Sequence, residues 1–229
     1  MKNSGVPIVK EGLPFLLVFL VATLAFVVGG IYSASILCGL IAVYIAYFFR
    51  NPERLPPVGW AMVCSPADGK VIHVGEAKES TFSGEKRLKI SIFMNLFDVH
   101  VNRVPVDGTV KNMKYRRGRF MAANEDRASE ENEHNAILLE TSEEAGHQPV
   151  VLVQVAGLVA RRIICYPTIG VFILKGQRMG LIRFGSRCDL YLPLTAKPLV
   201  KVGDRVLGGE SSIAQLAKVE TEGEDSSGS

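Results

Sequence analysis

Gly185 and Ser186 lie at the centre of Arg183–Pro193, R-F-G-S-R-C-D-L-Y-L-P, between two runs that alternate apolar and polar residues like half-buried strands. A serine hydroxyl that follows glycine at a strand boundary can attack the glycine's carbonyl carbon, turning the peptide bond into an ester. Elimination from the ester leaves dehydroalanine, and hydrolysis of that leaves a pyruvoyl group on a new amino terminus. Glycine suits the preceding position because it has no Cβ, so it tolerates unusual backbone angles and lets the hydroxyl approach. The ordinary fate of a Gly-Ser pair is a turn. The pair therefore takes its meaning from the rest of the chain.

Among the four histidines, His100 stands out in F-D-V-H-V-N-R-V-P, just after a strand-like run and before a proline-led turn. Imidazole is the side chain that changes charge near neutral pH, so a histidine at such a junction suits proton transfer. His73 lies within a strand-like run, and His134 and His147 lie in polar loops; these read as ordinary. Asp68, in S-P-A-D-G, reads first as a turn former bonding its own backbone, as do Asp98 and Asp107. Lys114, in N-M-K-Y, resembles the lysine that biotinyl domains modify, but Tyr115-Arg116-Arg117 does not fit a hairpin tip. Cys38, Cys64, Cys165 and Cys188 are scattered without C-x-x-C spacing, which points to structural thiols rather than a disulfide framework or a zinc site.

These residues need a scaffold. Beyond a proline-rich linker, Asn51–Val58, come short alternating runs punctuated by Gly, Pro and Asp. Arg87–Asn95, Ala136–Thr141, Val150–Val155 and Arg161–Tyr166 read as strands. Pro66-Ala-Asp-Gly-Lys-Val and Pro105-Val-Asp-Gly-Thr-Val form a weak internal repeat, each placing a tight turn before a strand. Val200–Gly209 reads as a short hairpin of the lipoyl-carrier kind. The expectation is a mainly β domain, a flattened barrel or sandwich, over residues 51–218. Arg116–Asn135 breaks the pattern as a long polar loop, a length that is usually functional or disordered. The acidic tail, 219–229, reads as disordered.

Leu13–Phe49 carries no charge, and Gly29-Gly30 divides it into two runs near the ~20 residues that cross a bilayer. Residues 1–50 are therefore expected to form an anchor of two membrane helices. Lys2 and Lys10 flank one end and Arg50 and Arg54 the other, which puts both ends on the cytoplasmic side of the cell membrane. Trp60 suits either the headgroup level or the core. The 26 basic and 23 acidic residues give a net charge of +3, too mild to suggest nucleic acid, and 229 residues suffice for one cored domain with an accessory region.

Taken together, S-P-A-D-G-K-V, F-M-N-L-F-D-V-H-V-N-R, A-S-E-E-N-E-H-N, V-A-G-L-V-A-R-R-I and K-G-Q-R-M-G-L-I-R-F-G-S-R resemble the phosphatidylserine decarboxylase proenzymes of the short bacterial and archaeal class. The resemblance runs in order over nearly all of Arg50–Pro193. It implies self-cleavage between Gly185 and Ser186 into chains 1–185 and 186–229. These would stay together as a heterodimer, with a covalent pyruvoyl group made from Ser186 as the only cofactor, and neither metal nor pyridoxal phosphate. The substrate implied is phosphatidylserine in the membrane, converted to phosphatidylethanolamine. His100 would act as proton donor and base, Asp68 would orient it, and Arg116, Arg117 and Arg119 would hold the lipid phosphate.

Two positions depart from the longer members. Arg187 follows the serine where they carry Thr or Ser, and Arg103 stands where they carry the second histidine of H-x-x-H. Arg103 would instead pair with a carboxylate or phosphate. Homo-oligomerisation is left open. Two competing readings are a membrane-tethered, lipoyl-like adaptor without catalysis and a pyruvoyl decarboxylase of a soluble amino acid.

Overall fold

The computed structural model describes residues 7–119, 121, 123, 131–157, 162–183 and 185–218. The acidic tail from Val219 and much of the Arg116–Asn135 loop lie outside the described residues. Two apolar helices come first, α1 (Leu13–Val28) and α2 (Tyr32–Phe48). With the single turn Lys10–Gly12, α1 makes a 19-residue helix long and apolar enough to cross a membrane. The 17-residue α2 is shorter. Pro14 sits in the first turn of α1, where its missing N–H has no intrahelical partner to lose. Gly30, at φ 74°, reverses the chain in a conformation that suits glycine.

The helices pack side by side and their outer ends are stitched together. Val9 N donates to Phe49 O at 3.0 Å, Asn51 N donates to Pro7 O at 2.7 Å, and Ile8 bridges Arg50. The hairpin expected from the sequence therefore forms, with both ends on the same side. Val9, Phe48 and Phe49 bury against Val99, Val101 and Leu181, a small second core that welds the hairpin to the β domain.

Fourteen short strands follow among the described residues: β1 (Met62–Cys64), β2 (Gly69–Lys78), β3 (Lys86–Met94), β4 (Val101–Arg103), β5 (Gly108–Arg116), β6 (His134–Thr141), β7 (Pro149–Val155), β8 (Ile163–Cys165), β9 (Phe172–Ile173), β10 (Arg178–Ile182), β11 (Ser186–Leu192), β12 (Lys197–Pro198), β13 (Arg205–Val206) and β14 (Ser212–Gln215). Eight make one curled sheet, a half-barrel, in the order β13-β2-β3-β11-β7-β6-β5-β9. Two three-stranded sheets, β4-β10-β8 and β1-β14-β12, complete a mainly β domain.

Alternation along β11 decides what faces where. Cys188, Leu190 and Leu192 point into the main core with Ile90, Ile92, Met94 and Leu152. Tyr191 lies on the opposite face with Val151, Val153 and Val155. Both faces are covered, so every residue of β11 is buried. The internal repeat is visible in the fold: Gly69 and Gly108 each open a strand, and a Cβ at either would strike the carbonyl of the neighbouring strand.

Two expectations change. Val200–Gly209 is not a self-contained hairpin; it turns at Lys201–Asp204, and β13 pairs with β2 instead. A tight turn alone does not say which strand its second arm will join. The Asn51–Val58 segment is also no free spacer, because Arg103 bonds Asn51 and Pro52, and Arg54 bonds Asp68. Trp60 is partly buried and packs on the main core.

Candidate active site

Ser186 opens β11 and is fully buried, paired across to Met94 at the end of β3. Gly185 before it has φ 57°, the left-handed region that a side chain would disfavour. Its carbonyl packs on Gly157, just beyond β7. A Cβ at Gly157 would fall on that carbonyl oxygen and crowd Ala123 as well. The bond between Gly185 and Ser186 thus lies outside the ladder, with a bent backbone on one side and a buried hydroxyl on the other.

The hydroxyl Oγ donates to Met94 Sδ at 3.8 Å. Behind Met94 runs a buried chain of amides. Asn135 Nδ2 donates to Gln154 Oε1 (3.1 Å), Gln154 Nε2 to Asn102 Oδ1 (2.9 Å), and Asn102 Nδ2 to Met94 Sδ (3.6 Å). A thioether is a weak acceptor, so both the serine hydroxyl and the Asn102 amide are held loosely at this point. Sequence reading passed over Gly157, Asn102 and Gln154. The first two stand inside quoted motifs, but only the pairing of distant strands reveals their contacts.

Arg187 and Asp189 form a bidentate buried ion pair on the other face of β11, with Nε to Oδ1 at 2.9 Å and Nη2 to Oδ2 at 3.2 Å. Lys89 Nζ joins Asp189 Oδ2 at 3.2 Å. Arg187 Nη1 also donates to the Ala123 carbonyl (3.0 Å), and buried Asn132 binds the backbone of Met121 and Ala156. Ala123 is therefore held beside Gly157 and Arg187, and Met121 and Ala156 are tied together through Asn132. An arginine after the serine has its own work in this chain, as the partner of Asp189 and of the Ala123 carbonyl.

His100 is buried just before β4, its ring 4.2 Å from the Phe48 ring at the end of α2. Nδ1 is 3.0 Å from the Asp98 carbonyl, which assigns the ring proton there and leaves Nε2 as a lone-pair nitrogen. Buried Nε2 has no hydrogen-bond partner among the described residues. Burial pulls the pKa down to about 4, against the opposing pull of Asp98, so the ring is neutral at physiological pH. Asp68 does not touch it. Arg54 Nη2 bonds Asp68 Oδ2 at 2.8 Å, and Gly208 N bonds Oδ1 at 2.7 Å. Burial nevertheless raises the Asp68 pKa above its ordinary value. Arg50 and Asp98 influence both groups electrostatically.

Arg103 takes no carboxylate among its described hydrogen bonds. It donates to Gly176 O (3.2 Å), Asn51 Oδ1 (2.9 Å) and Pro52 O (2.8 Å), clamping the linker to the domain. Burial lowers its pKa to about 10, which still leaves it charged.

Arg116 pairs with His134, His134 with Val155, and Val155 with Arg187. Residues paired in register share a face, so Arg116 lies on the side of the sheet away from Ser186, about 14 Å from Arg187 at the usual strand spacing. There it lines a polar cavity of about 670 Å³ with Lys78, Lys89, Lys114 and Tyr191. Arg117 is exposed, and exposed Arg119 pairs with Glu131 at 3.3 Å. Of this trio, expected to hold the phosphate, Arg116 stands on the face away from the serine. No cluster of potential metal ligands occurs among the described residues. The cysteines are free, and burial pushes the thiols of Cys64 and Cys165 up to about 12 and 11.

Residues 41–214 match the family model for phosphatidylserine decarboxylase. Proteins named phosphatidylserine decarboxylase proenzyme are similar along nearly the whole chain. That of Geotalea uraniireducens (strain Rf4) is 45% identical, covering 94% of this chain and 100% of its own length. That of Geotalea daltonii is also 45% identical, over 92% and 97%. That of Polynucleobacter asymbioticus is 47% identical, over 91% and 95%. The β domain with its buried serine junction is thus that of a decarboxylase. The chain belongs to the phosphatidylserine decarboxylase family.

Proposed function

We propose that the chain cuts itself between Gly185 and Ser186 and then decarboxylates phosphatidylserine to phosphatidylethanolamine and carbon dioxide. The setting of that bond carries the reading: a left-handed glycine whose carbonyl rests on Gly157, followed by a buried serine. Ser186 Oγ bonds to the Gly185 carbonyl carbon, the carbon–nitrogen bond breaks, and the nitrogen takes up a proton. Loss of the Ser186 Cα proton then expels Gly185 as a carboxylate, ending the large chain at 185. Water displaces ammonia from the dehydroalanine left at 186.

His100 is the proposed base, since a neutral, unpartnered nitrogen can accept the hydroxyl proton. Asp68 acts at one remove, through the junction it makes with Arg54 and Gly208, and matters for maturation. A pyruvoyl group at residue 186 would supply a ketone electrophile for an amine-bearing substrate and an electron sink for loss of carbon dioxide. The surroundings fit it: the Asn102 N–H now held by a thioether would find a better acceptor in a carbonyl oxygen. His100 would return a proton to the substrate carbon. The α1–α2 hairpin would lie in the membrane with the β domain on the cytoplasmic side, beside a lipid whose acyl chains stay in the bilayer.

Intact mass and a denaturing gel test this directly. The wild-type chain should give two pieces, the smaller beginning with pyruvoyl. Ser186→Ala should stay a single 229-residue chain and release no carbon dioxide. Two pieces from Ser186→Ala would overturn the proposal.

A further inference from the structure

Between Met94, the partner of Ser186, and His100 the chain makes a tight turn whose tip faces outward. Its backbone is locked. Asn95 N donates to Asp98 Oδ2 at 2.9 Å, Phe97 N to Asn95 Oδ1 at 2.8 Å, and Asp98 N to Asn95 O at 3.1 Å. Arg205 pairs with Asp98 from outside at 3.1 Å. The side chains this rigid turn presents are large and apolar: Leu96 is 42% exposed and Phe97 66%.

The last turn of α2 grips the same tip. Tyr44 Oη donates to Leu96 O at 3.3 Å, Tyr47 Oη donates to Phe97 O at 3.1 Å, and Arg50 Nη2 donates to Phe97 O at 2.7 Å. Tyr44 stands one helical turn further from the β domain than Phe48, so the tip rises alongside the apolar helix. Tyrosine hydroxyls and a basic residue at the end of an apolar helix are what the headgroup level of a bilayer favours.

We propose that Leu96 and Phe97 form a membrane wedge that enters the headgroup–acyl boundary beside α2 and sets the height of the reacting bond above the bilayer. The occupant of this surface is the lipid itself, because two tyrosine hydrogen bonds make the patch continuous with the uncharged helix α2 and a third comes from Arg50 just past its end. Insertion needs little backbone ordering, since the turn is already locked, and burial of two large apolar side chains rewards contact. The wedge lies between the strand end facing Ser186 and His100. Its seating would bring a headgroup to those residues without lifting the acyl chains out.

This inference rests on the anchoring and lipid substrate proposed above, and its test separates the two. The full chain is mixed with vesicles of phosphatidylcholine and phosphatidylserine in equal parts. A chain that fails to float with them overturns both readings. If it floats, Phe97→Trp should show blue-shifted fluorescence beyond the wild-type Trp60 signal, quenched by lipids brominated near the glycerol. No shift and no quenching overturns the wedge alone.

Activity provides a second arm. Leu96→Asp with Phe97→Asp should process itself normally. Per processed chain it should then show KM raised about tenfold for bilayer phosphatidylserine and unchanged turnover of a monomeric short-chain analogue. Equal loss on both substrates, or no loss on either, overturns the wedge.

Discussion

Gly157 shows how one missing side chain can prepare a bond for reaction. Its Cα rests against the Gly185 carbonyl, so any Cβ must push that carbonyl away or open the sheet between β7 and β11. Gly157→Ala should slow self-cleavage by about tenfold or more, because moving the Gly185 carbonyl displaces the atom Ser186 must attack, and about 1.4 kcal/mol on the barrier is tenfold. Gly108→Ala serves as the control. It is similarly crowded, against the Glu140 carbonyl, but β6 and β7 separate it from β11, so it should lower the melting temperature and still cleave. Cleavage of Gly157→Ala at the wild-type rate, followed by gel, would remove the role. Ser186, Gly185 and His100 could be singled out in sequence as candidates because their motifs are local and chemically distinctive. Gly157 could not, although V-A-G-L-V-A-R-R-I contains it, because its meaning lies in a strand that arrives 28 residues later (185 − 157). Arg187 looked like a departure for the same reason: Asp189 is near in sequence, but Ala123 is not.

Elements were read well where alternation was clear and poorly where pairing decides. β3, β6, β7 and β8 fall within two residues of the expected runs, since apolar residues recur along strands that face the core. The arm of Val200–Gly209 was assigned to itself and belongs to β2, a choice that only the core can make. The turn joining β2 to β3 is organised by Glu79. Its buried carboxylate accepts N–H bonds from Thr81 (2.6 Å), Phe82 (3.1 Å) and Ser83 (2.8 Å). Burial alone would raise its pKa, but the bonds from Ser83, Thr81 and Phe82 outweigh it and hold the group below the usual carboxylate range. A depressed folded pKa means stabilisation that is present above the unfolded value and lost as pH falls through the folded one. Glu79→Gln should therefore destabilise by about 1–2 kcal/mol at neutral pH, with the gap to wild type closing in acid. Melting curves across pH check it; a gap that stays constant would mean the charge is irrelevant.

At the scale of the molecule, the helical hairpin and the half-barrel are one body, joined through Phe48, Phe49 and the residues around His100. The stitched ends of the hairpin predict a topology: a reporter fused to either end of the uncleaved chain should be active in the cytoplasm. Activity of a carboxy-terminal fusion only outside would reverse the assignment. The uncharged run and its basic flanks made the hairpin legible, whereas its seam with the β domain, where His100 meets Phe48, left no local trace. The eight-stranded sheet has a further consequence. β11 lies between β3 and β7, and β13 and β14 pair with β2 and β1, so these strands after residue 185 are woven into what precedes them. A ribosome emits β11 after both of its neighbours, and until it slots between them the serine has no pocket and the glycine no bend. The cut would then act as a receipt for completed folding, issued only when the last-made strands have found their places in the first-made ones.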